Sequence, residues 1–148
     1  MQKRHLAGTL LAASALAAPA AAQPAGGISV RASLNGAGEL PALSSKTVKA
    51  TGRLVGTLKP TKTGYQFSWY LTYKKLSGPA TFANIERGTR KTRGATVTFL
   101  CSPCKSGAHG SFYASPGELA LIQQGGLYVN IRTKKHPSGE IRGPLRKH

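Results

Sequence analysis

Aspartate is absent from this chain, and its only carboxylate side chains are Glu39, Glu86, Glu118 and Glu140. Without aspartate no Ser-His-Asp triad can be built; a glutamate would have to take that place. A glycosidase needs two carboxylates across a cleft, yet Glu118 is placed to cap a helix, and Glu39 and Glu140 stand beside turns. Of the few histidines, His5 falls in an N-terminal leader, His136 in a basic turn and His148 at the last position, which leaves His109. No glycine-rich stretch has P-loop or dinucleotide spacing. The chain reads as non-enzymatic and without a cofactor.

Long hydrophobic runs are also missing. Crossing a bilayer takes about 20 consecutive apolar residues, and the longest apolar stretch, Leu6–Ala18, falls short of that. It follows the positive Lys3-Arg4-His5 and precedes Ala20-Ala21-Ala22, the pattern of a cleaved secretory signal peptide. The expected organisation is a signal peptide over 1–22, a Pro/Gly/Ala linker over 23–27, and one domain over 28–148. The mature protein is therefore expected to be exported, periplasmic or extracellular, with no transmembrane segment. The 21 lysines and arginines, less Lys3 and Arg4, leave 19 against four glutamates, a net charge of +15. Such an imbalance favours encounter with anionic partners and says nothing about fold.

What is present is mostly β pattern. Ile28–Leu34 alternates apolar and polar residues, Val48–Leu58 is rich in β-branched residues, and Tyr65–Tyr73 alternates most clearly. In that last run Tyr65, Phe67, the only tryptophan Trp69, Leu71 and Tyr73 share one face, which is expected to centre the core. Shorter strands are predicted at Thr81–Glu86, Ala95–Leu100, Gly107–Tyr113, Leu127–Ile131 and Glu140–Leu145, separated by Gly/Pro turns. One helix is predicted over about 116–124: Ser115 can cap it, Pro116 begins it, Glu118 completes an S-x-x-E capping box, and Gly125-Gly126 ends it. No repeat of solenoid or propeller period occurs. The pattern predicts an all-β, antiparallel, Greek-key-like sandwich with one short helix.

Four blocks carry a resemblance. Leu34-Asn35-Gly36-Ala37-Gly38-Glu39-Leu40-Pro41, Leu76-Ser77-Gly78-Pro79-Ala80-Thr81, Ala83-Asn84-Ile85-Glu86-Arg87-Gly88, and Leu127–Thr133 with Gly139-Glu140-Ile141-Arg142-Gly143 follow one another. Together they resemble the CHRD domain family, named for the repeated domain in chordin. The resemblance implies a β-sandwich reminiscent of copper/zinc superoxide dismutase in architecture, and an activity that is poorly defined. The family pattern has histidines where this chain has Asn84, Glu86 and Arg132. Paired histidines on one strand face invite a metal, so the resemblance implies no metal site at these positions here. If the two motifs adjoin, Glu86 and Arg132 are expected to form a structural ion pair with two parallel hydrogen bonds.

Cys101 and Cys104 are the only cysteines, in a Cys-Ser-Pro-Cys turn. In an exported protein they are read first as a local disulfide. The alternatives are a redox pair, which would need a helix N-terminus, and a metal site of Cys101, Cys104 and His109, which lacks an obvious fourth ligand. The cations cluster as Arg87, Arg90, Lys91 and Arg93, and as Arg132, Lys134, Lys135 and Arg142. These are expected to form one basic face for an anionic surface or polyanion. Sequence-specific nucleic-acid binding is not expected, because the aromatics belong to the core pattern rather than interleaving with the charges. Two functions from different classes emerge: a non-catalytic binding module with a basic face, or a metal-binding or redox protein built on the cysteines.

Overall fold

The computed structural model describes residues 26–148; the expected signal peptide, its cleavage site and most of the linker lie outside them. The strands are β1 (Ile28–Asn35), β2 (Thr51–Pro60), β3 (Tyr65–Lys74), β4 (Ala80–Gly88), β5 (Arg93–Cys101), β6 (Ala108–Ala114), β7 (Leu127–Thr133), β8 (Ile141–Pro144) and β9 (Arg146–Lys147). A 3-10 turn, Gly36–Gly38, follows β1, and helix α1 spans Pro116–Gln124. Each predicted strand is present with ends moved by a few residues, and α1 has the predicted bounds. Its capping box is complete: Ser115 Oγ accepts from Glu118 N at 3.2 Å, and Ser115 N donates to Glu118 Oε2 at 2.6 Å.

All pairings are antiparallel, and hydrogen bonds join the strands into one sheet in the order β5-β4-β7-β8-β1-β2-β3-β6, with β9 also on β1. The expected division into two Greek-key sheets does not appear in the pairing. Instead the sheet rolls into a nearly closed barrel, its edge strands β5 and β6 linked by the Cys101–Gly107 turn. That turn is tied to both sides of the seam: Cys104 N donates to Ala80 O at 3.2 Å, Gly107 N to Leu71 O at 2.8 Å, and Tyr73 Oη to Cys104 O at 2.9 Å.

Alternation decides what goes inside. Leu54, Leu58, Phe67, Leu71, Ile85, Val129, Ile131 and Ile141 fill the barrel, and Leu119 and Ile122 of α1 join the same core. The predicted stripe of β3 is part of it. Trp69 fits because its cross-strand partners are Gly56 and Gly110; a Cβ at Gly110 would come within 2.9 Å of the indole. No described helix is long and apolar enough to cross a membrane.

Candidate functional site: a roofed box of charge on the sheet

The even-numbered residues of β4, β7 and β8 face away from the barrel interior, where alternation alone would leave them in water. The central ones are buried all the same. Asn84, Asn130 and Arg142 stand in one cross-strand row, each fully buried, with Glu86 and Tyr128 in the neighbouring row. Three connections form a roof: the turn after β1, the β4–β5 loop and the β7–β8 loop.

Arg142 holds this roof down. Its Nε donates to Glu86 Oε1 at 2.8 Å, its Nη1 to Gly38 O at 3.3 Å and Thr89 O at 3.2 Å, and its Nη2 to Thr92 O at 3.1 Å. Its guanidinium also lies 3.8 Å from the centroid of the Tyr128 ring. One side chain thus ties two loops to the sheet. The arrangement is demanding, since a buried charge is tolerated only when paired and hydrogen-bonded.

Two further glutamates are consumed beside it. Glu39, 1% exposed, pairs with Arg93, whose other guanidinium nitrogen donates to Ser138 O. Glu140, also 1% exposed, accepts from Ser77 N at 2.7 Å, Ser77 Oγ at 2.6 Å and Thr133 Oγ1 at 2.7 Å. Burial works to raise the Glu140 pKa, but these donors outweigh it and hold the carboxyl below its ordinary value.

Glu39 goes the other way. Burial pushes it up to about 7; Glu86 adds to the rise, while Arg93, Arg142 and Arg132 oppose it. The surrounding geometry makes sense of that proton. Glu39 Oε1 and Asn130 Oδ1 have no hydrogen-bond partner among the described residues. Each lies 2.4 Å from the point where a Cβ on Gly139 would sit, so both acceptors border the same gap. The orientation of Asn130 is fixed by its Nδ2, which donates to Ser138 O at 3.3 Å and faces Glu86 Oε1 at 3.5 Å. Both oxygens lack a donor, and a proton on Glu39, which the raised pKa favours, would supply one.

The profile of the CHRD domain covers residues 30–145. The chain belongs to the CHRD domain family. CHRD domains are generally non-enzymatic modules. No curated protein and no solved structure matches the chain.

The central and closing motifs do adjoin, as antiparallel neighbours β4 and β7. Glu86 and Arg132 do meet, but at 3.8 Å and without the parallel hydrogen bonds expected, because Arg142 occupies Glu86 more closely. Arg132 instead donates to Pro137 O at 3.3 Å and lies over Phe82. The expected basic face therefore loses Arg142 entirely, since it is 0% exposed. The side chains of Arg93 and Arg132 are 28% and 24% exposed and engaged with the roof, whereas Arg87, Arg90, Lys91, Lys134 and Lys135 are exposed. Cys101 and Cys104 form a disulfide, so both sulfurs are bonded to each other, and His109 lies exposed on β6 opposite Tyr70.

Proposed function

We propose that this CHRD domain is an exported, non-catalytic binding module that engages an anionic surface or polyanion through its exposed cations Arg87, near the end of β4, and Arg90, Lys91, Lys134 and Lys135 on the loops. One observation carries the reading: the four carboxylates are all spent internally. Glu39, Glu86 and Glu140 are buried in the roofed box, and Glu118 closes the helix cap. The exposed cations are left without acidic neighbours to neutralise them, so the surface field is of one sign and draws anions from a distance. The buried ion pairs give the loops that bear these cations a fixed base. Export rests on the leader sequence alone.

The test has two parts. Intact-mass measurement of protein recovered from each cell compartment reports export and cleavage; finding only the uncleaved chain in the cytoplasm would sink that half. Retention on an immobilised polyanion should fall steeply and log-linearly with salt. Weak retention, no more than that of a neutral protein, would sink the other half.

A further inference from the structure

A second cationic region lies away from the loops. The outward residues of β1, β2 and β3 border a shallow groove of about 450 Å³, lined among others by Arg31, Arg53, Thr57, Ser68, Tyr70 and His148. Register builds it: Arg31 pairs with Val55 and Val55 with Tyr70, while Arg53 stands two residues along β2 from Val55. Arg31 and Arg53 are thus diagonal neighbours on adjacent strands, separated by about 7–8 Å along the sheet. Neither forms an ion pair among the described residues, whereas the arginines of the roofed box all do. Arg31 Nε is buried with no hydrogen-bond partner, a state that costs free energy unless something supplies an acceptor.

We infer that this groove is the binding site for an acidic polysaccharide strand, carrying uronate or sulfate groups. The inference deepens the reading of an anion-binding module and rests on it. Two guanidiniums side by side match successive carboxylate or sulfate groups, which they can grip through paired hydrogen bonds. Thr57 and Ser68 offer hydroxyls that exchange hydrogen bonds with sugar hydroxyls. Tyr70, 47% exposed, presents an aromatic face that can cover the apolar C–H face of a sugar ring while its hydroxyl stays wet. A nucleic-acid strand fits less well, since its bases need a series of stacking platforms, and of the tyrosine and tryptophan that line the groove only Tyr70 is exposed while Trp69 is buried. The groove is open and crosses three strands, which suits a chain rather than an enclosed small molecule.

The test measures affinity of the mature protein for a polygalacturonate oligosaccharide and a heparin oligosaccharide, with a neutral malto-oligosaccharide and single-stranded DNA as comparators. The variants are Arg31→Gln with Arg53→Gln in the groove, and Arg90→Gln with Lys91→Gln on the loops, so each pair removes the same charge. The groove pair should weaken oligosaccharide binding by about tenfold or more, and the loop pair by much less. Arg53→Gln with Tyr70→Ala, both on exposed side chains, repeats the test without touching the part-buried Arg31. If the loop pair loses binding and both groove variants do not, the groove is wrong and the loop module stands. If the two pairs lose equally, charge alone is being counted and the groove is wrong. If no anionic probe binds the unaltered protein, both readings fail together. If DNA binds as tightly as the oligosaccharides and with the same groove dependence, the assigned partner class is overturned.

Discussion

The sharpest consequence of the roofed box concerns Glu39. Its carboxyl has a raised value of about 7 in the folded protein against 4.5 for an ordinary glutamate. A group whose folded value is raised binds its proton more tightly folded than unfolded. Its contribution to stability is therefore fully present below 4.5, declines as pH rises between 4.5 and about 7, and is flat beyond. At about 1.4 kcal/mol per pKa unit, the whole decline is about 3 kcal/mol. Glu39→Gln mimics the protonated acid: its carbonyl can accept from Arg93, and its amide can donate to Asn130 Oδ1. Urea unfolding across the same range should show the native protein losing stability from about pH 5 to about pH 8. The variant should match it at the acid end and exceed it by about 2–3 kcal/mol at the alkaline end. Comparing the two cancels the histidines, which titrate in both. If the difference between the proteins does not change with pH, the proton on Glu39 is not there and the account of the Gly139 gap fails.

The other carboxylates and the tight contacts give further expectations. Glu140, held below its ordinary value, contributes stability above 4.5 that disappears as pH falls through its folded value; Glu140→Gln should flatten the acid limb of the same unfolding curve, and an unchanged limb would refute this. Arg142→Met should cost about 3–5 kcal/mol by chemical denaturation, because Glu86 and the carbonyls of Gly38, Thr89 and Thr92 lose their partner. Adding Glu86→Leu should recover only part of that, since the carbonyls stay unpaired; full recovery would mean that the roof does not depend on Arg142. Gly139→Ala places a methyl into the gap between Glu39 and Asn130 at a φ of +138° that side chains rarely adopt, and a drop in midpoint well beyond that of Gly78→Ala, where nothing lies within 4 Å, is the expected readout. Replacing Cys101 and Cys104 by serine removes a three-residue-separation loop and should cost about 2 kcal/mol by the chain-entropy relation; a loss above twice that would show that the turn does more than close the seam.

Most of the strands were legible because period-2 alternation is a local signal, and α1 was legible because capping is written in four consecutive residues, Ser115 to Glu118. Closure was not legible. Whether β5 and β6 end two sheets or face each other across one seam depends on pairings far apart in sequence, and the alternation is the same either way. Arg142 was misplaced for a related reason. Alternation puts it outward from the barrel, opposite Ile141, and outward normally means water. Only the loops that fold back over β4, β7 and β8 make it buried. One signal did point there: in a chain so short of acids, three of the four glutamates sit inside the blocks shared with the CHRD family, and each needed a partner once buried.

The box also accounts for the residues found where the family pattern has histidine. Asn84, Glu86 and Arg132 all face outward on adjoining strands under the roof. Neutral imidazoles there can be satisfied in pairs or by a metal; a carboxylate cannot be left buried alone at comparable cost. Once Glu86 stands in the row, a cation must face it, and Arg142 does so from β8 while Arg132 lies further off. Arg142 then has donors to spare, and these reach the loop carbonyls that close the roof. Asn84 meets its need differently, donating to Thr96 Oγ1 at 3.0 Å on β5. Glu86→His alone should therefore destabilise more than a double change with Arg142→Leu, because the first leaves a buried guanidinium without its carboxylate. The reverse order of stabilities, measured by urea unfolding, would mean that Arg142 is held by the loop carbonyls and Tyr128 rather than by Glu86.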